Sequence, residues 1–73
     1  MAKVTHLKIE LEQEEDGRCI DEVPTLPGVM AYGQTQAAAL AAVQALAFRA
    51  MADRLEHNIA APEELLNVSF IAA

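Results

Sequence analysis

Residues 4–23, VTHLKIELEQEEDGRCIDEV, decide the fold. From 4 to 12 the chain alternates strictly, with Thr5, Leu7, Ile9 and Leu11 on one side and His6, Lys8, Glu10 and Glu12 on the other. A period of two is the signature of a strand that buries one face. Residues 13–17 break the period, and Asp16-Gly17 marks a turn because glycine takes positive φ without a Cβ clash. The stretch is therefore a β-hairpin, with two registers open. A two-residue loop sets Glu12 opposite Asp21, a like-charge pair, whereas a three-residue loop pairs Glu14 with Arg18 and Ile9 with Val23. The second is favoured. On the second strand, read over 18–23, Asp21 is the odd residue: it shares a face with Cys19 and Val23, so its carboxylate must be paired or kept wet.

Downstream, Pro24-Thr25-Leu26-Pro27-Gly28 stops the ladder, since each proline removes a donor and forces its predecessor into extended geometry. A third short strand is expected over 29–32. Gly33-Gln34-Thr35 then supplies a flexible turn and a hydroxyl able to cap a helix, although Ala38 stands where a capping box needs glutamate. The helix spans about 36–58, with nine alanines and with Leu40, Val43, Ala47, Ala50, Met51, Arg54 and Leu55 near one stripe. Its end places His57 where an imidazolium meets the negative pole of the helix dipole. Pro62 prevents continuation, and Leu66, Val68 and Phe70 alternate with Asn67 and Ser69 as a last strand. The fold class is α+β: a single β-β-β-α-β domain over 1–73, with a three- to four-stranded antiparallel sheet and one long helix packed on one face.

Composition says what such a domain leans on. A chain of 73 residues with 53% hydrophobic residues is globular, yet at this size only ~60% of the unfolded chain's surface is buried. Cys19 is the lone cysteine, so no internal disulfide staples the core, which leaves self-association or a partner. A 23-residue helix is ~34 Å long, whereas four strands span only about 15 to 20 Å. The overhang carries Phe48, Met51 and Leu55, which are the expected interface of a homo-oligomer, a dimer or a tetramer.

The formal charge of −6 repels phosphate, so direct binding to nucleic acid is disfavoured and a basic protein fits better. The excess lies in front: three basic and seven acidic residues through Gly33, net −4, against two and four afterwards, net −2. No basic stretch leads into an apolar run, and no apolar run reaches about 18 residues, so neither a signal peptide nor a membrane span is expected and the location is cytoplasmic.

Chemistry-bearing residues are sparse. Glu10, Glu12, Asp21 and Glu22 are paired carboxylates across a hairpin, but acid–base work needs a cleft that shifts a pKa. His6 and His57 stand alone, and Cys19 has no base near it in sequence. Gly17, Gly28 and Gly33 all fall in turns, without the spacing of a phosphate cradle. The reading is a binding module and not an enzyme, with no catalytic residues, metal or cofactor.

The order Asp16-Gly17, then Glu22-Val23-Pro24-Thr25-Leu26-Pro27-Gly28, then Tyr32-Gly33-Gln34-Thr35 before the helix resembles the HicB antitoxin family of type II toxin–antitoxin systems. The resemblance covers about residues 7–58. It implies a partial ribonuclease-H-like fold without that fold's catalytic carboxylates, and binding and neutralisation of a HicA-type toxin, a small basic protein that cleaves messenger RNA. Cys19, Asp21, Ala37 and Ala38 depart from the residues common in that family. The resemblance is to the family's short form, which implies that no C-terminal segment binding operator DNA is expected. The residues assigned to meet the toxin are Glu14, Glu15, Asp16 and Glu22, in keeping with the attraction between an acidic front half and a basic partner. Two other classes remain. One is an orphan homo-oligomeric regulatory or scaffold domain without a toxin, and the other is an enzyme with a degenerate ribonuclease-H-like site, which requires three or more carboxylates within reach of one metal.

Overall fold

A computed structural model describes residues 4–72 of the chain. Strand β1 is Thr5–Gln13, β2 Cys19–Glu22 and β3 Met30–Gly33; helix α1 is Gln36–Glu56, a short 3-10 turn occupies Pro62–Leu65, and β4 is Val68–Ala72. The four strands make one sheet in the order β3-β2-β1-β4, and α1 packs on one face of it, which gives the expected α+β architecture.

The hairpin takes the three-residue register. Glu10 stands opposite Glu22 and Gln13 opposite Cys19, and beyond them the Glu14 N–H donates to the Arg18 carbonyl at 2.8 Å. Gly17 N–H closes the turn on the Glu14 carbonyl at 3.0 Å, with Gly17 at φ +91°. Asp16 locks this tip, since its carboxylate accepts the Arg18 backbone N–H at 3.1 Å and the Arg18 Nε–H at 2.8 Å.

The sheet is mixed and not wholly antiparallel, because β4 runs parallel to β1, with Leu7 opposite Phe70. Connectivity is the reason. β1 and β3 each run antiparallel to β2, so they point the same way. A helical crossover returns the chain in the direction it left, and β4 therefore aligns with both.

Residues 24–28 wrap back as a corner and not as a break in the sheet. Val23 N–H donates to the Val29 carbonyl and Val29 N–H to the Leu26 carbonyl, each at 3.0 Å, and Leu26 is buried beneath. Helix α1 begins as the sequence indicates, with the Thr35 hydroxyl accepting from the Ala38 N–H at 3.1 Å. It ends slightly earlier than expected. Asn58 adopts φ 56°, and the Ile59 N–H donates to the Arg54 carbonyl at 2.8 Å and the Asn58 N–H to the Leu55 carbonyl, a left-handed cap that satisfies the last carbonyls. His57 lies at this pole, with Nδ1 2.8 Å from the Asp53 carbonyl oxygen and 3.2 Å from its carboxylate.

The core lies between α1 and the sheet: Leu7 and Ile9 from β1, Val23, Leu26 and Val29 around the corner, and Val43, Ala47 and Met51 from the helix. Its helical stripe runs through Ala39, Val43, Ala47 and Met51, four residues apart. Leu40 and Ala50 flank it half-buried, and Leu55 falls outside it.

Three further expectations need correction. Met51, expected at an uncovered overhang, is only 6% exposed, because the chain returns under the helix end and brings Leu65 and Val68 against the core. Leu66, expected to belong to the last strand, precedes β4 and is 75% exposed, since the 3-10 turn before β4 presents Leu65 to the core instead. Gly33 is not there for flexibility. A Cβ built on it would lie 2.3 Å from the Ala39 backbone nitrogen, so its missing side chain is what lets β3 meet the first turn of α1.

Candidate functional site

One helix covers one face, so the opposite face of the sheet is open. Cross-strand register orders it into two rows. Glu12, Ile20 and Tyr32 form one, and Glu10, Glu22 and Met30 form the other. Three carboxylates thus sit edge to edge with three apolar groups across β1, β2 and β3. Glu10, Glu12 and Glu22 are exposed, while Met30 is 46% and Tyr32 53% exposed. The Arg18 guanidinium lies 5.3 Å from the Tyr32 ring centroid, a cation–π contact that holds the ring at the margin of the patch.

The acidic row opposes the stability of the free domain. Directly opposed side chains on one sheet face lie close together, and like charges there are destabilising by some tenths of a kcal/mol up to ~1 kcal/mol. Glu10 and Glu22 are such a pair. A cationic partner would remove that penalty on binding.

The residues assigned from sequence divide accordingly. Glu22 belongs to the open patch. Glu14, Glu15 and Asp16 are exposed at the hairpin tip, but Asp16 is committed to Arg18 in an ion pair. The N–H of Arg18 is the main influence holding the Asp16 carboxyl below its usual pKa, aided by the guanidinium. The sequence marks Glu10 and Glu12 only as hairpin carboxylates, without assigning them to the partner surface; their register with Glu22 and Ile20 groups them with it. The assigned oligomer residues separate as well, for Phe48 is 56% and Leu55 37% exposed while Met51 is buried.

On the helix side, Asp21 is fully buried. The Gln36 amide, from the first turn of α1, donates to both of its oxygens, at 3.0 and 2.8 Å. Its neighbour Cys19 is a buried free thiol. A cavity of about 230 Å³ lies between β1, the corner and the helix end, lined in part by Thr5, Leu26, Met51, Arg54 and Glu64. Among the described residues no group of three His, Cys, Asp or Glu side chains is placed to hold a metal ion, and no helix is long and apolar enough to cross a membrane.

No protein-family model, curated protein or solved structure matches the chain. The site's own chemistry is therefore what bears on function.

Proposed function

We propose that this chain is an antitoxin-like binding module that uses the open face of its sheet to bind and neutralise a small basic, HicA-type toxin that cleaves messenger RNA. One observation carries the reading: three carboxylates and three apolar side chains, of which Ile20 is half-buried and the others exposed, form a single patch whose acids Glu10 and Glu22 stand directly opposite each other. Apolar groups, an aromatic ring among them, provide contact area, and the carboxylates select a cation and speed encounter. The front-loaded charge of the sequence and the motif resemblance to HicB antitoxins point the same way, as does a sheet with one principal helix.

The experiment is affinity capture of the tagged full chain from extract of its native cell, with the co-purifying species identified by mass. The expected result is a stoichiometric small basic protein whose cleavage of messenger RNA is suppressed while bound and restored on release. Glu10→Lys and Glu22→Lys should each lose it. Its absence from the capture, or its retention by both variants, would refute the proposal.

A further inference from the structure

Arg54 is a cation on the core stripe of α1. It stands seven positions after Ala47 and three after Met51, both buried, and at 3.6 residues per turn that spacing puts it on the same, sheet-facing side of the helix. Arg54 is half-buried, yet among the described residues no carboxylate lies in ion-pair range of it. It borders the cavity of about 230 Å³ at the helix end, where its guanidinium is left to water or to a ligand. Glu64 borders the same cavity. It is exposed and likewise forms no ion pair among the described residues, with Arg54 or any other cation. His6 also touches the cavity, but it belongs to the outward side of β1's alternation.

Backbone contacts hold the walls of this cavity apart. The Arg54 carbonyl accepts the Ile59 and Ala60 N–H groups at 2.8 and 3.2 Å, which fixes the chain as it leaves α1. The Thr5 hydroxyl donates to the Glu64 carbonyl and the Thr5 N–H to the Asn67 carbonyl at 2.8 Å, which ties the 3-10 turn to β1. Leu7, Leu26, Met51 and Leu65 supply an apolar lining.

We propose that this cavity binds a free α-amino acid with an aliphatic side chain. The Arg54 guanidinium takes its carboxylate, the Glu64 carboxylate takes its ammonium, and the apolar lining takes its side chain. A simple anion would meet Glu64 and a simple cation would meet Arg54, whereas a zwitterion satisfies both. Size agrees. At ~30 Å³ per water-sized group the cavity takes about eight non-hydrogen atoms, the scale of valine or leucine, and it is smaller than the ~300–1,000 Å³ of a site for a drug-sized ligand. The site lies on the helix side of the sheet, so the inference stands independently of the partner assigned to the open face.

The test is an amide chemical-shift titration of the labelled full chain with L-leucine up to about 10 mM. Parallel titrations use isocaproate, which lacks the ammonium, isoamylamine, which lacks the carboxylate, and glycine, which lacks the side chain. The expected result is saturable shifts at Thr5, Leu26, Arg54 and Glu64 with half-saturation by leucine below about 1 mM, and each analogue weaker by about tenfold or more. Glu64→Gln, at an exposed position, should weaken leucine about tenfold while leaving isocaproate unchanged, and Arg54→Gln should weaken leucine while leaving isoamylamine unchanged. No saturable shift by about 10 mM, an analogue as tight as leucine, or undiminished leucine binding by Glu64→Gln would overturn the proposal.

Discussion

Replacing Gln36 by methionine is expected to destabilise the domain out of proportion to the exposed position a helix's first turn usually offers. Gln36 Nε2 donates to both oxygens of Asp21, a carboxylate with no exposed surface and, among the described residues, no cation in ion-pair range. A hydrogen bond to a charged group contributes about 1.5–3 kcal/mol, and the cost rises when the buried acceptor is left unsatisfied. The two bonds share one donor group and are not additive, so the loss is about 3 kcal/mol. A domain of this size has a total stability of ~4–11 kcal/mol, and at 4–8 °C per kcal/mol the melting temperature should fall by roughly 12–24 °C. Asp21→Val combined with Gln36→Met removes both polar groups, and should return to within about 1.5 kcal/mol of the parent. Equilibrium urea unfolding of the parent, both single variants and the double variant closes the cycle. A Gln36→Met cost below about 1 kcal/mol, or a coupling energy near zero, would show that the buried carboxylate is satisfied by some other route.

Other outcomes follow from the same contacts. Gly33→Ala forces a Cβ against helix backbone that cannot swing aside, and should cost about 3 kcal/mol in chemical denaturation; a loss within 0.5 kcal/mol of zero, the scale of an ordinary surface change, would contradict the close approach. Glu22→Lys should move stability and binding in opposite directions, raising the unfolding free energy by ~0.2–1 kcal/mol as the repulsion with Glu10 disappears while abolishing capture of the basic partner. For Asp16, whose carboxyl is held below its usual 3.8 chiefly by the Arg18 N–H, the folded state favours the ionised form. Its contribution is complete above pH 3.8 and is lost as pH falls through the lower folded value. An NMR titration of the Asp16 carboxyl should show a midpoint below 3.8, with the hairpin-tip amides shifting alongside it.

How far the sequence anticipates this structure depends on whether the deciding interaction is local. The hairpin register was legible because Asp16-Gly17 and the charges of Glu12, Glu14, Arg18 and Asp21 discriminate between two loops within a few residues of the turn. The Thr35 cap and the His57 terminus are local in the same sense. The parallel pairing of β4 was not, since period-two alternation says which face a strand buries and nothing of its direction. Leu65 replaced Leu66 because a 3-10 turn intervened, and its signature of Pro62 followed by Glu63 and Glu64 was present in the sequence. For Asp21 the sequence announces the need for a partner without naming Gln36, since a separation of fifteen positions carries no spacing rule. On the candidate site, Glu22 is assigned from its charge together with the basic partner that the family resemblance implies. The grouping of Glu10, Glu12, Ile20, Met30 and Tyr32 around it needed the register of two ladders at once.

The most direct test of the central claim is amide chemical-shift mapping of the labelled full chain titrated with the basic protein recovered by capture. The account predicts perturbations concentrated on Glu10, Glu12, Ile20, Glu22, Met30 and Tyr32, weakening as salt screens the carboxylates. Perturbations confined to the exposed side of α1, or to the hairpin tip alone, would contradict it.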